Sequence, residues 1–196
     1  MIGAVSSRLL NSACQAVCVG CFARGSRLFL HMNSSPTAIG QFSISRLWEI
    51  PSLGPILAAA HAREWGHLYT NWNREVALAD FKSETEKSAI PTTWVIHDRT
   101  GIPMGSVSLV KDDLPGYPDL NPWLASLFVF PEFRGRGLGK LLVRQALDFL
   151  RHQKYPHAYL FTEDQVPFFA NFGFAIHGPA QANGHAVTVM RWKDED

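Results

Sequence analysis

Cysteine is nearly absent from this chain of 196 residues: Cys14, Cys18 and Cys21 are the only three, and none follows position 21. That excludes a disulfide-stapled core and a cysteine nucleophile further along. The Cys18/Cys21 pair has no second pair at zinc spacing, and the histidines show no ligand spacing, so no metal centre is expected. Long apolar runs are lacking as well. No window approaches the roughly 18 to 20 residues that a membrane-spanning helix needs, which makes a soluble, cytoplasmic protein with no membrane partner the expectation. An excess of charge of either sign is also missing, since the formal net charge is +1. No overall electrostatic footprint for nucleic acid exists, so any anion recognition must be local.

Acidic residues are absent before Glu49, while Arg8, Arg24, Arg27 and Arg46 are present. Asn11, Ser12 and Gln15 interrupt the apolar core that a secretory signal would need, and a presequence would need a clearer amphipathic helix. Residues 1–40 are therefore expected to form a disordered N-terminal extension, with Met32 as an alternative start.

The whole chain is 46% hydrophobic and 18% charged, enough for one globular domain with a sizeable core. Short β-type runs alternate with helical patterns. Strands are expected at 41–50, 92–97, 105–110, 124–130, 158–162, 174–177 and 186–192. Helices are expected from Leu53 to about Tyr69, at 74–87, at 138–152 and at 166–172. The segment 112–121, with Pro115, Gly116 and Pro118, reads as an exposed loop. The order is mixed α/β with a near-continuous apolar strand at its centre.

That strand runs directly into glycines and cations: Phe130-Pro131-Glu132-Phe133-Arg134-Gly135-Arg136-Gly137-Leu138-Gly139-Lys140. A strand feeding a helix through glycines leaves the helix's first N–H groups pointing outward, which makes an anion cradle. A P-loop would need Ser or Thr where Leu141 stands, and a dinucleotide fingerprint would need glycine where Lys140 stands. The pattern [QR]-x-x-G-x-[GA] fits Arg134 to Gly139 without adjustment.

With this motif, the amphipathic helix after it, and Phe168-Phe169-Ala170-Asn171-Phe172-Gly173-Phe174, the chain resembles the GCN5-related N-acetyltransferase (GNAT) family over residues 41–193. The segment from Asp112 to Ala125 is also similar to a subgroup of bacterial members. The resemblance implies one α/β (α+β) domain over 41–196, a mixed, mostly antiparallel sheet flanked by helices. It implies acetyl-CoA as cofactor and acetyl transfer to a primary amine of a small molecule or peptide. Main-chain groups of Leu127, Phe128 and Val129 would pair with the pantetheine arm, and one N–H there would polarise the thioester. Arg134, Gly135, Arg136, Gly137, Leu138, Gly139 and Lys140 would hold the pyrophosphate.

Two departures are visible. Phe169 stands where the family's proton-donating tyrosine is usual, and residues 162–165 stand where many relatives carry an asparagine. Tyr159 is the candidate substitute donor, while Glu163 and Asp113, with Asp112 beside it, are candidate bases. Trp65, Tyr69 and Trp72 are candidates for an aromatic acceptor wall. The rival reading is a non-catalytic acyl-CoA-binding or interaction module, and a homodimer is compatible with either.

Overall fold

The computed structural model describes residues 42–65, 73–85 and 89–194. The expected extension at 1–40 lies outside the described residues. Seven strands form one sheet in the order β1-β2-β3-β4-β5-β7-β6. They are β1 (Phe42–Arg46), β2 (Thr92–Asp98), β3 (Pro103–Val110), β4 (Trp123–Val129), β5 (His157–Thr162), β6 (Ala175–Ala182) and β7 (His185–Lys193). Every neighbouring pair is antiparallel except β4 and β5, which run parallel. The helices are α1 (Gly54–Trp65), α2 (Arg74–Lys82), α3 (Leu138–His152) and α4 (Val166–Ala170).

The two faces of the sheet are covered differently. Alternation along each strand sends successive side chains to opposite faces. Trp94 and Ile96 of β2, Val107 and Leu109 of β3, and Leu124 and Leu127 of β4 meet Leu138, Leu142, Val143, Ala146, Leu147 and Leu150 of α3 in one large apolar cluster. The apolar positions of α3 recur every three or four residues, which makes the stripe wide enough to cover these central strands. On the other face, Val95 packs with Leu53 and Leu57, and Phe128 packs with Ala58, Trp65 and Ala77, so α1 and α2 lie there. A third cluster on that face joins Trp123, Ala125, Tyr159, Phe161, Val187 and Val189 under Leu114.

Several expected boundaries shift. Strand β1 ends at Arg46 rather than Ile50, because the Glu49 carboxylate accepts the Arg46 N–H at 2.8 Å and two 3₁₀ turns, Leu47–Glu49 and Pro51–Leu53, carry the chain to α1. Helix α1 is described to Trp65, and residues 66–72 lie outside the described set. Helix α2 ends at Lys82, five residues early, where the Ser83 hydroxyl donates to the Asp80 carbonyl at 2.7 Å. Its start is fixed by Asn73, whose side chain accepts the Val76 N–H at 3.0 Å. An equal shift of five residues, in the other direction, occurs at β6, which extends to Ala182. Asn183 and Gly184, at φ 49 and 85, make the two-residue turn that lets β6 and β7 pair along their length. The loop at 112–121 is irregular but not wholly exposed: Asp113 and Leu114 are buried.

Among the described residues, no helix is long and apolar enough to cross a membrane, and no group of three or more His, Cys, Asp or Glu is placed to hold a metal ion.

Candidate active site

The parallel pair β4/β5 is joined at one register position, Trp123 opposite Tyr159, with the Tyr159 N–H donating to the Pro122 carbonyl at 2.9 Å. Trp123 opens β4, and Tyr159 is the third residue of β5. Beyond them β4 stays with β3 and β5 stays with β7, so the two strands part towards their C-terminal ends. The result is a wedge in the middle of the sheet. Its mouth is set between the loop that follows β4 and the Thr162–Gln165 turn that follows β5. A parted strand edge presents main-chain donors and acceptors to whatever extended ligand enters.

Strand β4 is not regular along this edge. Its register with β3 shifts between Ser106 and Ser108, and Ser126 has φ 51, which marks a bulge. The bulge precedes Leu127, Phe128 and Val129, the residues expected to meet the pantetheine arm. Gly105 of β3 lies opposite Val129, and an added Cβ there would stand 2.5 Å from the Phe128 carbonyl oxygen. Glycine is required for the two strands to come this close.

After β4 the chain makes a 3₁₀ turn at Pro131–Phe133 and enters the glycines. Gly135 and Gly137 have φ 76 and 79, a region that favours glycine over any L side chain. An added Cβ would meet nothing within 4 Å at either position, so the backbone angle, not crowding, selects glycine there. Gly137 is the N-cap of α3 and offers no side chain to its first N–H groups. Lys140 and Leu141 N–H donate to the Gly137 carbonyl, whereas the N–H groups of Leu138 and Gly139 precede the first helical bonds. This is the geometry of an anion site. At Gly139 a Cβ would contact the Phe168 ring at 3.8 Å and Val129 at 3.9 Å, which brings the wall of the cradle to α4.

The three cations of the motif are arranged unequally. Arg134 is tied to β4 and α1: its Nε donates to the Val129 carbonyl at 2.9 Å and its Nη2 to Glu64 Oε1 of α1 at 3.1 Å, with the guanidinium 5.9 Å from the Phe128 ring centroid. Arg136 lies over the Phe133 ring and donates to the Glu132 carbonyl at 3.1 Å. Lys140 is exposed on the first turn of α3.

The three expected catalytic side chains occupy three separate places. Glu163 is exposed just beyond β5, with Oε1 3.4 Å from Nδ1 of His185 at the start of β7. Tyr159 is buried at the closed end of the wedge, its ring against Trp123, His157 and His177 and under Arg191. Asp113 is buried in the loop before β4, and Asp112 is exposed. Phe169 is buried in the α3-side cluster, with its ring near Phe168 and Phe174. Trp65 is 1% exposed and packs within its helix pair, while Tyr69 and Trp72 lie outside the described residues.

Sequence reasoning missed a set of buried polar groups on the α1/α2 face. His61 Nε2 is 3.1 Å from the Ser106 hydroxyl, and its ring is enclosed by Trp65, Phe81 and Phe128. Burial lowers its pKa to about 3, which keeps the imidazole neutral. Glu84, Thr93 and Ser108 form a second connected group.

A family comparison matches the Acetyltransferase (GNAT) family over residues 54–174, more than half of the chain. The chain belongs to the GNAT acetyltransferase family. Acetyl-CoA-dependent N-acetylation is the general reaction of that family. Solved GNAT structures have the same fold. An acetyltransferase of the GNAT family from Streptococcus pneumoniae superposes with a TM-score of 0.59 at 16% identity, over 79% of this chain and 100% of that one. The spermidine/spermine N-acetyltransferase SpeG from Vibrio cholerae gives 0.56 at 16% identity, over 78% and 95%. An acyl-CoA N-acyltransferase from Pseudomonas aeruginosa gives 0.55 at 14% identity, over 78% and 98%. A search of curated proteins found no match.

Proposed function

We propose that this GNAT protein transfers an acetyl group from acetyl-CoA to a primary amine of a small molecule or peptide by direct attack in a ternary complex. The observation that carries this reading is the wedge between β4 and β5 ending on the positive-φ glycines of the α3 cradle. The residues present suit the cofactor: an open strand edge for an amide-bearing arm and outward N–H groups with Lys140 for a pyrophosphate. Bound there, acetyl-CoA supplies an activated thioester carbonyl.

The chain's own groups would then do the following. Main-chain N–H groups of the bulged β4 edge orient the arm and polarise the carbonyl. The Gly135–Lys140 segment neutralises the pyrophosphate. Arg134 braces the end of β4 against α1 through Val129 and Glu64, so its contribution is to hold the cradle in place. Glu163 at the mouth draws in a cationic amine. The buried Phe169 ring has no proton to offer the departing thiolate, and Tyr159 sits at the closed end of the wedge, so solvent is the simplest donor.

Thiol release from acetyl-CoA tests the reading with spermidine, tyramine and an unblocked tripeptide as acceptors. Thiol release that depends on one of these amines, with the acetylated product seen by mass spectrometry, is the expected result. Calorimetric binding of acetyl-CoA without release for any amine would favour the non-catalytic module, which the phenyl ring at position 169 makes the natural rival.

A further inference from the structure

The α1/α2 face of the sheet carries a hydrogen-bonded chain to which the proposed reaction gives no role. Glu84, just beyond α2, is 9% exposed. Its Oε2 accepts the Thr93 N–H at 2.8 Å and its Oε1 accepts the Thr93 hydroxyl at 2.5 Å. The Thr93 and Ser108 hydroxyl oxygens are 2.8 Å apart. These contacts fix a direction when Glu84 is ionised. A carboxylate only accepts, so the single Thr93 hydroxyl proton goes to Glu84. Ser108 must then donate to Thr93, which leaves Ser108 Oγ as an acceptor at the far end.

That far end is well placed. Ser108 pairs with Ala125, the residue before Ser126 where β4 bulges. Ser106, on the same face, pairs with Phe128. Ser106, Ser108 and Ala125 are small side chains beside the bulge, between the Trp123 cluster and the α1/α2 clusters; all three are buried, and Ser108 keeps the most exposure of them at 5%. An ammonium approaching the β4 edge across these side chains would meet an oxygen that needs a proton donor.

We propose that Glu84, acting through Thr93 and Ser108, takes the proton that the acceptor amine must lose before it attacks, an inference that rests on the acetyl-transfer reading. The ammonium gives one proton to Ser108 Oγ as Ser108 passes its own to Thr93 and Thr93 passes its own to Glu84 Oε1. An ammonium and a carboxylate become an amine and a carboxylic acid. The amine nitrogen then bonds to the thioester carbon, the C–S bond breaks, and the amine's surplus proton leaves with the thiolate as free thiol. Glu84 returns its proton to solvent after the products leave. Ser108 is the group that would touch substrate, and Glu84 is a positioning residue acting through it.

The charge environment suits this task. Burial raises the Glu84 pKa to about 7, opposed by its Thr93 hydrogen bonds and by Arg46 at the end of β1, and assisted by Asp80 of α2. A proton acceptor with a pKa near the working pH is the most effective kind.

The test compares the full chain with Glu84→Gln and Ser108→Ala, using acetyl-CoA and whichever of spermidine, tyramine or the tripeptide the unaltered protein acetylates. In the unaltered protein, kcat/KM for the amine should rise through a midpoint near 7. Both variants should lose that limb and fall about 100-fold on the plateau, with acetyl-CoA affinity unchanged. In ¹³C-glutamate-labelled protein, a carboxyl signal titrating near 7 should be present and should vanish in Glu84→Gln. A purely structural Glu84 would move the melting temperature and leave the pH limb alone. A limb that survives in Glu84→Gln with the same midpoint overturns the relay while leaving acetyl transfer standing. No thiol release from the unaltered protein with any of the three amines overturns both.

Discussion

The two faces of the sheet differ in kind. The α3 side is one large apolar cluster whose buried polar side chains, Thr92 and Thr162, sit at strand ends, while the α1/α2 side is divided into three smaller clusters with His61 of α1, Glu84 beyond α2, and Thr93, Ser106 and Ser108 of the strands buried among them. Apolar packing is non-directional and tolerant, so the α3 side can supply most of the stability without specifying chemistry. Buried polar groups cost stability unless every partner is supplied. Their concentration on one face is therefore informative. It is the face that borders the bulged edge of β4, and its polar groups are held in particular directions by hydrogen bonds across helices and strands.

If the α3 side is scaffold, a cavity there should cost stability and little else. Leu142 is fully buried under the central strands, and Leu142→Ala should destabilise by about 2–5 kcal/mol in denaturant titration. Acetyl-CoA affinity of the fraction still folded should be unchanged. A large loss of affinity at unchanged stability would blur the division between the faces.

The α1/α2 side should instead reveal itself through pH. His61 has its pKa lowered from 6.5 to about 3, so the folded state binds fewer protons than the unfolded one between those values and its contribution to stability rises with pH there. Glu84 has its pKa raised from 4.5 to about 7, so the folded state keeps a proton that the unfolded state has lost, and its contribution falls as pH rises across that window. Between about pH 4.5 and 6.5 the two slopes oppose each other. Glu84→Gln should expose the rising His61 slope, and His61→Phe the falling Glu84 slope, each amounting to a difference on the order of 3 kcal/mol at most. Chemical denaturation of both variants against the unaltered protein across pH 4–8 checks this. Identical pH profiles for all three would mean that neither group is held as described.

How much of this was legible in the sequence depended on whether the signal was local. The α3 helix, Leu138–His152, is legible to the residue because its apolar stripe lies within the element and its stop signals, Lys154 and Pro156, follow directly. The glycine cradle was legible for the same reason, since positive φ at Gly135 and Gly137 is a property of the loop alone. The β6/β7 turn has a local signal as well, the Asn183-Gly184 pair at positive φ. The partners that matter on the other face are different. His61 and Ser106 are 45 positions apart, Glu64 and Arg134 70, and no spacing rule joins them. Arg134 shows the limit most clearly: nothing in its motif announces the Glu64 carboxylate of α1, 3.1 Å from its guanidinium.

The central claim is that the wedge and its glycines hold acetyl-CoA. Titration calorimetry of acetyl-CoA into the protein and into Gly137→Val, with a pantetheine derivative lacking the pyrophosphate as comparison, tests it most directly. Acetyl-CoA should bind the unaltered protein with micromolar affinity. Binding should weaken at least ten-fold when either the pyrophosphate or the glycine is removed, with Gly137→Val still folded by circular dichroism. Equal affinity for both ligands, or full affinity in folded Gly137→Val, would contradict it.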